Sequence, residues 1–301
     1  MKNNVQIFLS TYNGEKYIIP QIESLLAQKD VEVSILVRDD GSTDGTIDIL
    51  KKYEKKGVLT FYQGKNMGYA KSFLHLLTNN KEADYYAFCD QDDVWLPDKL
   101  IRAIEKISKN EGPSLYTSTL KRVDENLRFL GMQSFKNLKI TLGAEFTRHR
   151  LAGCTFVFNK DLYNIIKNAY YIKNLNCSHD KLITILCLAI NGKVIFDKNS
   201  YILFRRYGTN TSSDGKSILH KLLKEKEHFT SYKNNESNLA KCILECYKEQ
   251  ISEQNLDLLL KIANYRNNIM NYIKLIFSKE LDCGFWFYNI FIKLVIICKC
   301  F

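Results

Sequence analysis

Short apolar segments alternate with amphipathic segments over the first hundred residues, and this alternation limits the fold more than any other feature. The apolar segments read as strands and lie at residues 5–9, 33–37, 60–62 and 85–89. Between them, apolar residues recur at helical spacing, as in Ile22, Leu25 and Leu26. Strand–helix alternation of this kind predicts an α/β fold with a mostly parallel sheet, because parallel strands need crossover connections.

Three of the predicted strands end in polar clusters, at residues 10–13, 39–42 and 90–93. In open α/β sheets, ligands bind at the carboxyl ends of the strands. One such cluster alone would be an ordinary turn. Three of them at the same edge of a sheet predict a binding site.

The run Asp90-Gln91-Asp92-Asp93 places three carboxylates within four residues. Like charges this close repel each other unless a cation neutralises them. A hard divalent ion held by carboxylates, with phosphate oxygens completing its coordination, is a common solution. A solvated acidic turn is the alternative, but the run directly follows a buried strand, which favours a metal and phosphate site.

Three weaker motifs each permit a functional and a structural interpretation. The carboxylates of residues 39–42 can accept hydrogen bonds from a nucleobase or ribose, or can belong to a helix-capping turn. Asp180, which follows His179, can act as a general base or can cap the next helix. Arg205 and Arg206 can bind phosphate or can face solvent as a basic pair. From the residues alone, these alternatives stay open.

The second half of the chain departs from the regular alternation. Further strands are predicted at residues 115–119 and 153–158, and a closing hairpin at residues 194–196 and 201–204. Beyond Gly215, apolar residues recur at helical spacing to the end of the chain. We therefore predict two parts, an α/β domain at residues 1–215 and a helical extension at residues 216–301.

Composition narrows the class of protein. A hydrophobic share of 46% with 25% charged residues is that of an ordinary globular chain. The net charge of +10 suits phosphorylated ligands or an anionic membrane, but no Lys/Arg-rich block occurs, so we expect no nucleic acid partner. The nine cysteines are scattered among mostly apolar residues, and a strand rather than a signal peptide stands at the start. These features predict a cytoplasmic protein with reduced thiols.

Residues 285–297 form the most apolar stretch of the chain. They can be a buried helix, a helix lying in the membrane interface, or a short membrane span. Their many aromatic residues, together with Lys293 and Lys299, favour the interface, where amphipathic side chains are most stable. We therefore expect a peripheral protein at the inner face of the cell membrane.

Seven motifs follow one another in a specific order, at residues 9–14, 37–44, 66–70, 89–100, 153–155, 178–180 and 205–210. With them, the chain resembles family 2 glycosyltransferases of the GT-A fold, and within that family the bacterial rhamnosyltransferase-like enzymes of capsule and O-antigen assembly. The resemblance extends over the α/β domain. It implies a GT-A, Rossmann-like mixed sheet flanked by helices, with a C-terminal helical extension.

The resemblance also implies roles for individual residues. Asp180 falls where the family has its catalytic base, and Asp90 and Asp92 match its acidic motif for Mg²⁺ or Mn²⁺. The nucleotide-binding residues that it implies are Thr11, Tyr12, Asn13, Glu15, Asp40, Asn66, Gly68, Asp90 and Gln91. Contacts to phosphate or acceptor are expected from Asp93, Trp95, His179, Arg205 and Arg206. The subgroup commonly has a histidine where this chain has Tyr207, so the neighbouring arginines are the expected replacement.

We therefore predict an inverting, metal-dependent hexosyltransferase that moves a sugar from a dTDP- or UDP-sugar to a saccharide acceptor, which in this family is often lipid-linked. L-Rhamnose is the leading donor hypothesis, with glucosyl or galactosyl transfer as the alternative. The QxxRW signature of processive synthases is absent, which favours single additions. A nucleotidyltransferase would carry a Gly-rich phosphate loop, which residues 10–14 do not form, and an inactive binding module would have lost the acidic run.

Overall fold

The computed structural model describes residues 2–78, 81–172, 176–207 and 234–301. The strands in these ranges are β1 (Asn3–Thr11), β2 (Val31–Asp39), β3 (Thr60–Gln63), β4 (Tyr85–Cys89), β5 (Val94–Trp95), β6 (Ser114–Ser118), β7 (Lys121–Val123), β8 (Phe129–Met132), β9 (Val157–Asn159), β10 (Lys193–Asp197) and β11 (Ile202–Arg205). The α-helices are α1 (Ile18–Leu26), α2 (Thr46–Lys55), α3 (Tyr69–Leu76), α4 (Lys99–Ile107), α5 (Leu142–Thr147), α6 (Lys160–Ile166), α7 (His179–Ala189), α8 (Asn235–Tyr247), α9 (Glu253–Asn264), α10 (Ile269–Phe277) and α11 (Trp286–Ile297).

The larger sheet has seven strands in the order β10-β6-β9-β4-β1-β2-β3. Neighbouring strands run parallel except at β9, which is antiparallel to both β4 and β6. A smaller sheet has the order β5-β11-β7-β8. The predicted α/β fold, with a mixed sheet flanked by helices, is confirmed.

Two apolar cores lie on opposite faces of the larger sheet. On β1, Phe8 packs into one core, whereas Val5, Ile7 and Leu9 pack into the other. Successive side chains of a strand point to opposite faces, so a strand buried on both sides is apolar throughout. This burial explains the unbroken apolar runs that mark β1 and β4 in the sequence.

The C-terminal helices extend the core that contains Phe8. Leu239 of α8, Leu259 of α9, Leu275 of α10 and Ile296 of α11 all belong to it. The predicted domain boundary at residues 215/216 lies outside the described residues, as does the end of the motif at residues 205–210. Among the helices that the structure describes, none has the length and hydropathy that a membrane span needs.

Two predictions about the second half of the chain are wrong. Residues 194–196 and 201–204 do not pair as a hairpin, because β10 pairs with β6 in the larger sheet and β11 pairs with β5 and β7 in the smaller one. The segment 153–158 is not one strand, because Gly153–Thr155 form a 3-10 turn before β9. This turn packs tightly on α7, since a Cβ atom at Gly153 would lie 2.5 Å from His179 Nε2.

Candidate active site

The three polar clusters meet at one edge of the larger sheet, because β1 runs parallel to both β2 and β4. Gln91 joins two of these strand ends. Its Oε1 accepts hydrogen bonds from Thr11 Oγ1 (2.7 Å) and from the Tyr12 amide (2.8 Å), and its Nε2 donates to the Tyr12 carbonyl (3.1 Å). The side chain of Tyr12 is 46% exposed above this junction, so an aromatic ring is available to a ligand there.

The loop after β1 is held in place by the loop after β2. The Asn13 amide donates to Ser42 Oγ (2.8 Å), and Asn13 Oδ1 accepts from the Thr43 amide (2.8 Å). Glu15 Oε2 accepts from the Gly45 amide (3.0 Å). Asn13 and Glu15 therefore brace the strand ends, and the nucleotide contacts predicted for them stay predictions.

Asp40 is buried and forms the centre of the second strand end. Its carboxylate pairs with Arg38 and accepts hydrogen bonds from the amides of Met67 (3.0 Å) and Gly68 (2.9 Å). Gly68 has φ +82°, a conformation that favours glycine, and its amide also donates to Asn66 Oδ1 (3.2 Å). Asp40 thus fixes the loop that carries Asn66 and Gly68, whereas its predicted contact with ribose or base is untested.

Burial and mutual repulsion shape the acidic run. Desolvation, together with the charges of Asp92 and Asp180, raises the pKa of Asp90 to about 7. Desolvation also raises the pKa of Asp92, although the hydroxyl of Tyr207 opposes this shift by donating a hydrogen bond to Asp92 Oδ2 (2.5 Å). A cation at this place would be strongly favoured, since the carboxylates stay charged next to each other only at a large cost.

Arg205 at the end of β11 and Tyr207 just after it support the acidic run. Arg205 is 3% exposed, and it donates from Nε to the Asp92 carbonyl (2.8 Å) and from an Nη to the Glu125 carbonyl (2.6 Å). The Arg206 amide donates to the Val123 carbonyl (2.8 Å). Arg205 therefore bonds to backbone carbonyls inside the protein, and these contacts do not support the phosphate contact predicted for it.

Asp93 and Trp95 lie inside the protein, at 1% and 2% exposure. Asp93 Oδ1 accepts from the Arg205 amide (3.0 Å), and the Trp95 ring has the Nζ of buried Lys99 at 3.5 Å from its centroid. Burial lowers the pKa of Lys99 to about 7. The contacts with phosphate or acceptor predicted for Asp93 and Trp95 are therefore unsupported.

The donor atoms near the acidic run fit a hard divalent ion. Asp90, Asp93 and Cys154 offer ligand atoms that lie within 4.8 Å of one another, and the burial that raises the pKa of the Cys154 thiol favours its protonated form. Asp93 Oδ2 is buried and accepts no hydrogen bond from the described residues. Carboxylate oxygens are the ligands that Mg²⁺ and Mn²⁺ prefer. The predicted ligand Asp92 lies close enough to raise the pKa of Asp90, although it is not in the group of three.

Asp180 begins helix α7 and lies next to a histidine that the sequence did not indicate. His149 Nε2 is 3.6 Å from Asp180 Oδ1, and His149 Nδ1 is 2.5 Å from Glu145 Oε2. Burial opposes a charge on Asp180, but the nearby His149 outweighs burial and lowers the pKa of this carboxyl below its usual range. Asp180 is therefore an ionised carboxylate that faces the acidic run, as its effect on the pKa of Asp90 shows.

His179 packs inside the protein rather than at a ligand surface. It is 4% exposed, stacks on Phe73 at 4.2 Å between ring centroids, and meets Phe88 edge-on. Burial lowers its pKa to about 4, so the ring is neutral at physiological pH. A packing role explains these contacts, and the phosphate or acceptor contact predicted for His179 has no support.

Curated relatives match about two thirds or more of the chain. The chain is 27% identical to the dTDP-rhamnosyl transferase RfbG of Shigella flexneri over 213 residues, which cover 67% of this chain and 72% of that protein. It is 24% identical to the cholesterol galactosyltransferase of Borreliella burgdorferi over 239 residues, which cover 73% of this chain and 64% of the relative.

Among solved structures, residues 1–349 of TarS from S. aureus in complex with UDP-GlcNAc resemble the chain with a TM-score of 0.58 at 23% identity. The match covers 93% of this chain and 77% of that one, and it shows that the fold is shared. The family model described as Glycosyl transferase family 2 matches residues 6–166, which extend from within β1 to the end of α6 and include the whole acidic run. The chain therefore belongs to glycosyl transferase family 2 and is a glycosyltransferase.

Proposed function

We propose that the protein is an inverting, metal-dependent transferase that moves a single sugar from a nucleoside diphosphate to a hydroxyl of a saccharide acceptor in cell-surface polysaccharide assembly. The observation that carries this proposal is the ionised Asp180 facing the acidic run at the carboxyl edge of the sheet. This arrangement provides a base on one side of the site and a diphosphate-binding cluster on the other.

Asp180 is the general base of the proposed reaction. As the acceptor oxygen bonds to the anomeric carbon, its proton passes to the Asp180 carboxylate, and the bond from that carbon to the diphosphate oxygen breaks. The nucleoside diphosphate leaves with the bonding electrons. Because attack occurs opposite the leaving group in one step, the anomeric configuration inverts, as in one-step hydrolysis with a carboxylate base.

Asp90 and Asp92 are the residues proposed to hold Mg²⁺ or Mn²⁺, which when bound neutralises negative charge on the departing diphosphate. Gln91 fixes the ends of β1 and β4 at a set distance, so the nucleotide meets a preformed surface. Tyr12, whose ring is exposed above that junction, is proposed to stack on the base. Thr11, Asn13, Glu15, Asp40, Asn66 and Gly68 complete the proposed nucleotide site.

The donor is proposed from the relatives. RfbG is named for dTDP-rhamnosyl transfer, and the TarS structure contains UDP-GlcNAc, so dTDP-L-rhamnose is the leading donor and UDP-hexoses are the alternative. Thermal stabilisation by a panel of dTDP- and UDP-sugars with Mn²⁺ separates them. A shift with UDP-glucose or UDP-galactose, and none with dTDP-rhamnose, would replace the rhamnosyl hypothesis.

The catalytic assignment is tested by measuring transfer or donor hydrolysis for Asp180→Asn and Asp92→Ala, with and without chelator. We expect Asp180→Asn to lose about 10²–10⁴-fold in kcat, the usual contribution of a positioned base. Asp92→Ala and chelation should both abolish turnover. Asp48→Asn changes an exposed aspartate of α2 and is the matched control. Chelator-resistant activity that survives Asp92→Ala would falsify the metal assignment.

The acceptor is proposed to be lipid-linked and reached at the cytoplasmic face of the membrane. Helices α10 and α11 pack against each other near Tyr272, whose hydroxyl donates to the Ile297 carbonyl (3.4 Å). Both expose large apolar side chains at helical spacing, namely Ile269, Met270, Ile273, Phe277, Trp286, Ile290, Leu294 and Ile297. Lys274 and Lys293 stand among them, a pattern suited to an anionic lipid interface.

Sedimentation with vesicles tests the membrane proposal. We expect the protein to bind vesicles that contain phosphatidylglycerol more tightly than vesicles of phosphatidylcholine alone. Ile273→Glu with Ile290→Glu should abolish this binding, whereas Ile19→Glu, at an exposed position of α1, should not change it. Equal binding of all three proteins would remove α10 and α11 as the lipid-contacting surface.

A further inference from the structure

Glu145, His149 and Asp180 form a line of side chains beneath the proposed site. His149 follows the end of α5, and its two ring nitrogens face two carboxylates, Glu145 Oε2 at 2.5 Å and Asp180 Oδ1 at 3.6 Å. The side chains of Glu145, His149 and Asp180 are 1%, 12% and 19% exposed. The imidazole is hydrogen-bonded to Glu145 and forms an ion pair with Asp180, because its Nε2 lies beyond hydrogen-bond distance of that carboxylate.

The charges of this line favour an imidazolium ion. Burial alone would lower the pKa of His149, but the charges of Glu145 and Asp180 prevail and raise it to about 10. The groups facing His149 are Glu145 from α5 and Asp180 with neutral His179 from α7, while Asp90 faces Asp180 from the end of β4. Asp180 is thus next to one cation and opposite one acidic cluster.

We propose that the Glu145–His149 pair positions Asp180, because the ion pair with His149 holds its carboxylate in one orientation. This inference rests on the proposed role of Asp180 as the base. Without the cation, burial would favour a protonated Asp180, and a protonated carboxyl accepts no proton from the acceptor. Glu145 acts on Asp180 indirectly, because it bonds to the His149 ring and balances its charge.

A purely structural role for the pair is the competing interpretation, since α5 also packs on α7. The two interpretations differ in what they predict for kcat and for its pH dependence. A structural role lowers stability and impairs donor binding and turnover together. A positioning role lowers kcat while the KM for the donor, which binds at the ends of β1, β2 and β4, stays nearly constant.

His149→Gln and Glu145→Gln are the test variants, and His75→Gln is the matched control. His75 is a part-buried histidine of α3 that bonds to the Tyr62 hydroxyl (2.8 Å) away from Asp180. We expect His149→Gln to lower kcat by about 10–100-fold, the size of effect that a misplaced catalytic group produces, with donor KM within about threefold. The acid limb of its kcat–pH profile should move to higher pH, because the pKa of Asp180 rises when the cation is lost.

Glu145→Gln retains the size and a hydrogen bond, so it keeps the test informative if His149→Gln folds poorly. The Glu145→Gln change should lower the pKa of His149. NMR can follow this titration, because the chain has only five histidines and their imidazole signals can be assigned one by one. In the wild type we expect His149 to titrate well above the usual value of about 6.5. Titration near that value, or kcat and pH profiles of both variants that match His75→Gln, would overturn the inference.

The result for Asp180→Asn separates this inference from the function on which it rests. If Asp180→Asn is as active as the wild type, the proposed base is wrong. If Asp180→Asn is inactive while His149→Gln has wild-type kcat and pH dependence, the base stands and only the positioning role fails.

Discussion

The two sides of the proposed site are built in different ways. The donor side, which we define as residues 10–15, 39–46 and 64–68, consists of strand ends whose polar groups bond to one another across adjacent loops. The base side, which we define as α5, the start of α7 and residues 280–288, is assembled from segments far apart in the chain. Local sequence motifs are sufficient to form the donor side. The base side forms only when the helices pack against each other.

The base side depends on the C-terminal segment for its support. Thr147 Oγ1 donates to the Leu281 carbonyl (2.7 Å), and the Arg148 guanidinium lies 3.4 Å from the centroid of the Tyr288 ring. A Cβ atom at Gly143 would lie 2.2 Å from the Glu280 carbonyl oxygen. Residues 280–288 are therefore in direct contact with the helix that carries Glu145. The comparison implies that donor binding and turnover respond to different parts of the molecule.

The largest effect is expected on the donor side from Arg38→Met. The Arg38 and Asp40 side chains are 1% and 4% exposed, and Arg38 also bonds to Ser72 Oγ (3.0 Å). Removing one partner leaves a buried charge unpaired, which costs about 3–5 kcal/mol. Urea unfolding measures this loss, and donor affinity should fall with it. Arg102→Met, at an exposed ion-paired position, is the control, and an equal free energy of unfolding for both variants would contradict the prediction.

The second effect tests the base side through Gly143→Ala. The added methyl group meets backbone at Glu280, which cannot move away as a flexible side chain could. We expect a loss of about 1–3 kcal/mol in the free energy of unfolding and a lower kcat with unchanged donor KM. Gly57→Ala is the control, because Gly57 has φ +72° and open space around it. This change strains the backbone without a steric clash, so its effect on kcat shows what destabilisation alone does. A parallel rise in donor KM would show that the two sides are not separate.

A smaller effect is expected where the two sides meet, at Tyr207→Phe. The change removes the hydroxyl that donates to Asp92 Oδ2, a hydrogen bond to a charged group. The Mn²⁺ concentration for half-maximal activity should rise by about tenfold, because Asp92 is less well oriented. Tyr53→Phe removes a similar hydroxyl–carboxylate bond to Glu23 Oε1 (2.5 Å) elsewhere and should leave that concentration unchanged.

The smallest effect concerns the exposed ion pair of Lys16 with Glu125 (2.7 Å), which links the residue directly after the donor-side segment 10–15 to the loop between β7 and β8. Both side chains are at least half exposed, so Lys16→Ala should lower the free energy of unfolding only slightly at low salt and leave it unchanged at high salt. Unfolding at low and high ionic strength measures this. A larger loss would mean that the donor side is held by its surroundings as well as by its own loops.

The sequence was sufficient to predict the fold class and the meeting of three polar strand ends at one edge of the sheet. Apolar runs that end in polar residues identify β1, β2 and β4, and parallel pairing then brings their ends together without further information. The hairpin at residues 194–204 was wrong because strand pairing is a non-local choice: β10 found a partner in one sheet and β11 in another. Burial of Trp95 and His179 likewise depends on packing that spacing does not encode.

Glu145 and His149 were missed for the same physical reason. Their separation of four residues is a helical spacing, which was the one local signal of a contact between them. Nothing in the sequence between them and Asp180 indicates that α5 lies against α7. The interaction between Glu145 and His149 could be identified only from the structure, because it depends on the burial of both side chains.

The contact of residues 280–288 with α5 has a consequence for engineering. Exchanging the C-terminal helices between relatives at the predicted boundary of residues 215/216, in order to change the acceptor, would separate Gly143 and Thr147 from their partners. A functional chimera has to carry α5 and the C-terminal segment from the same parent. On the base side, two segments that are distant in the sequence therefore have to be exchanged together.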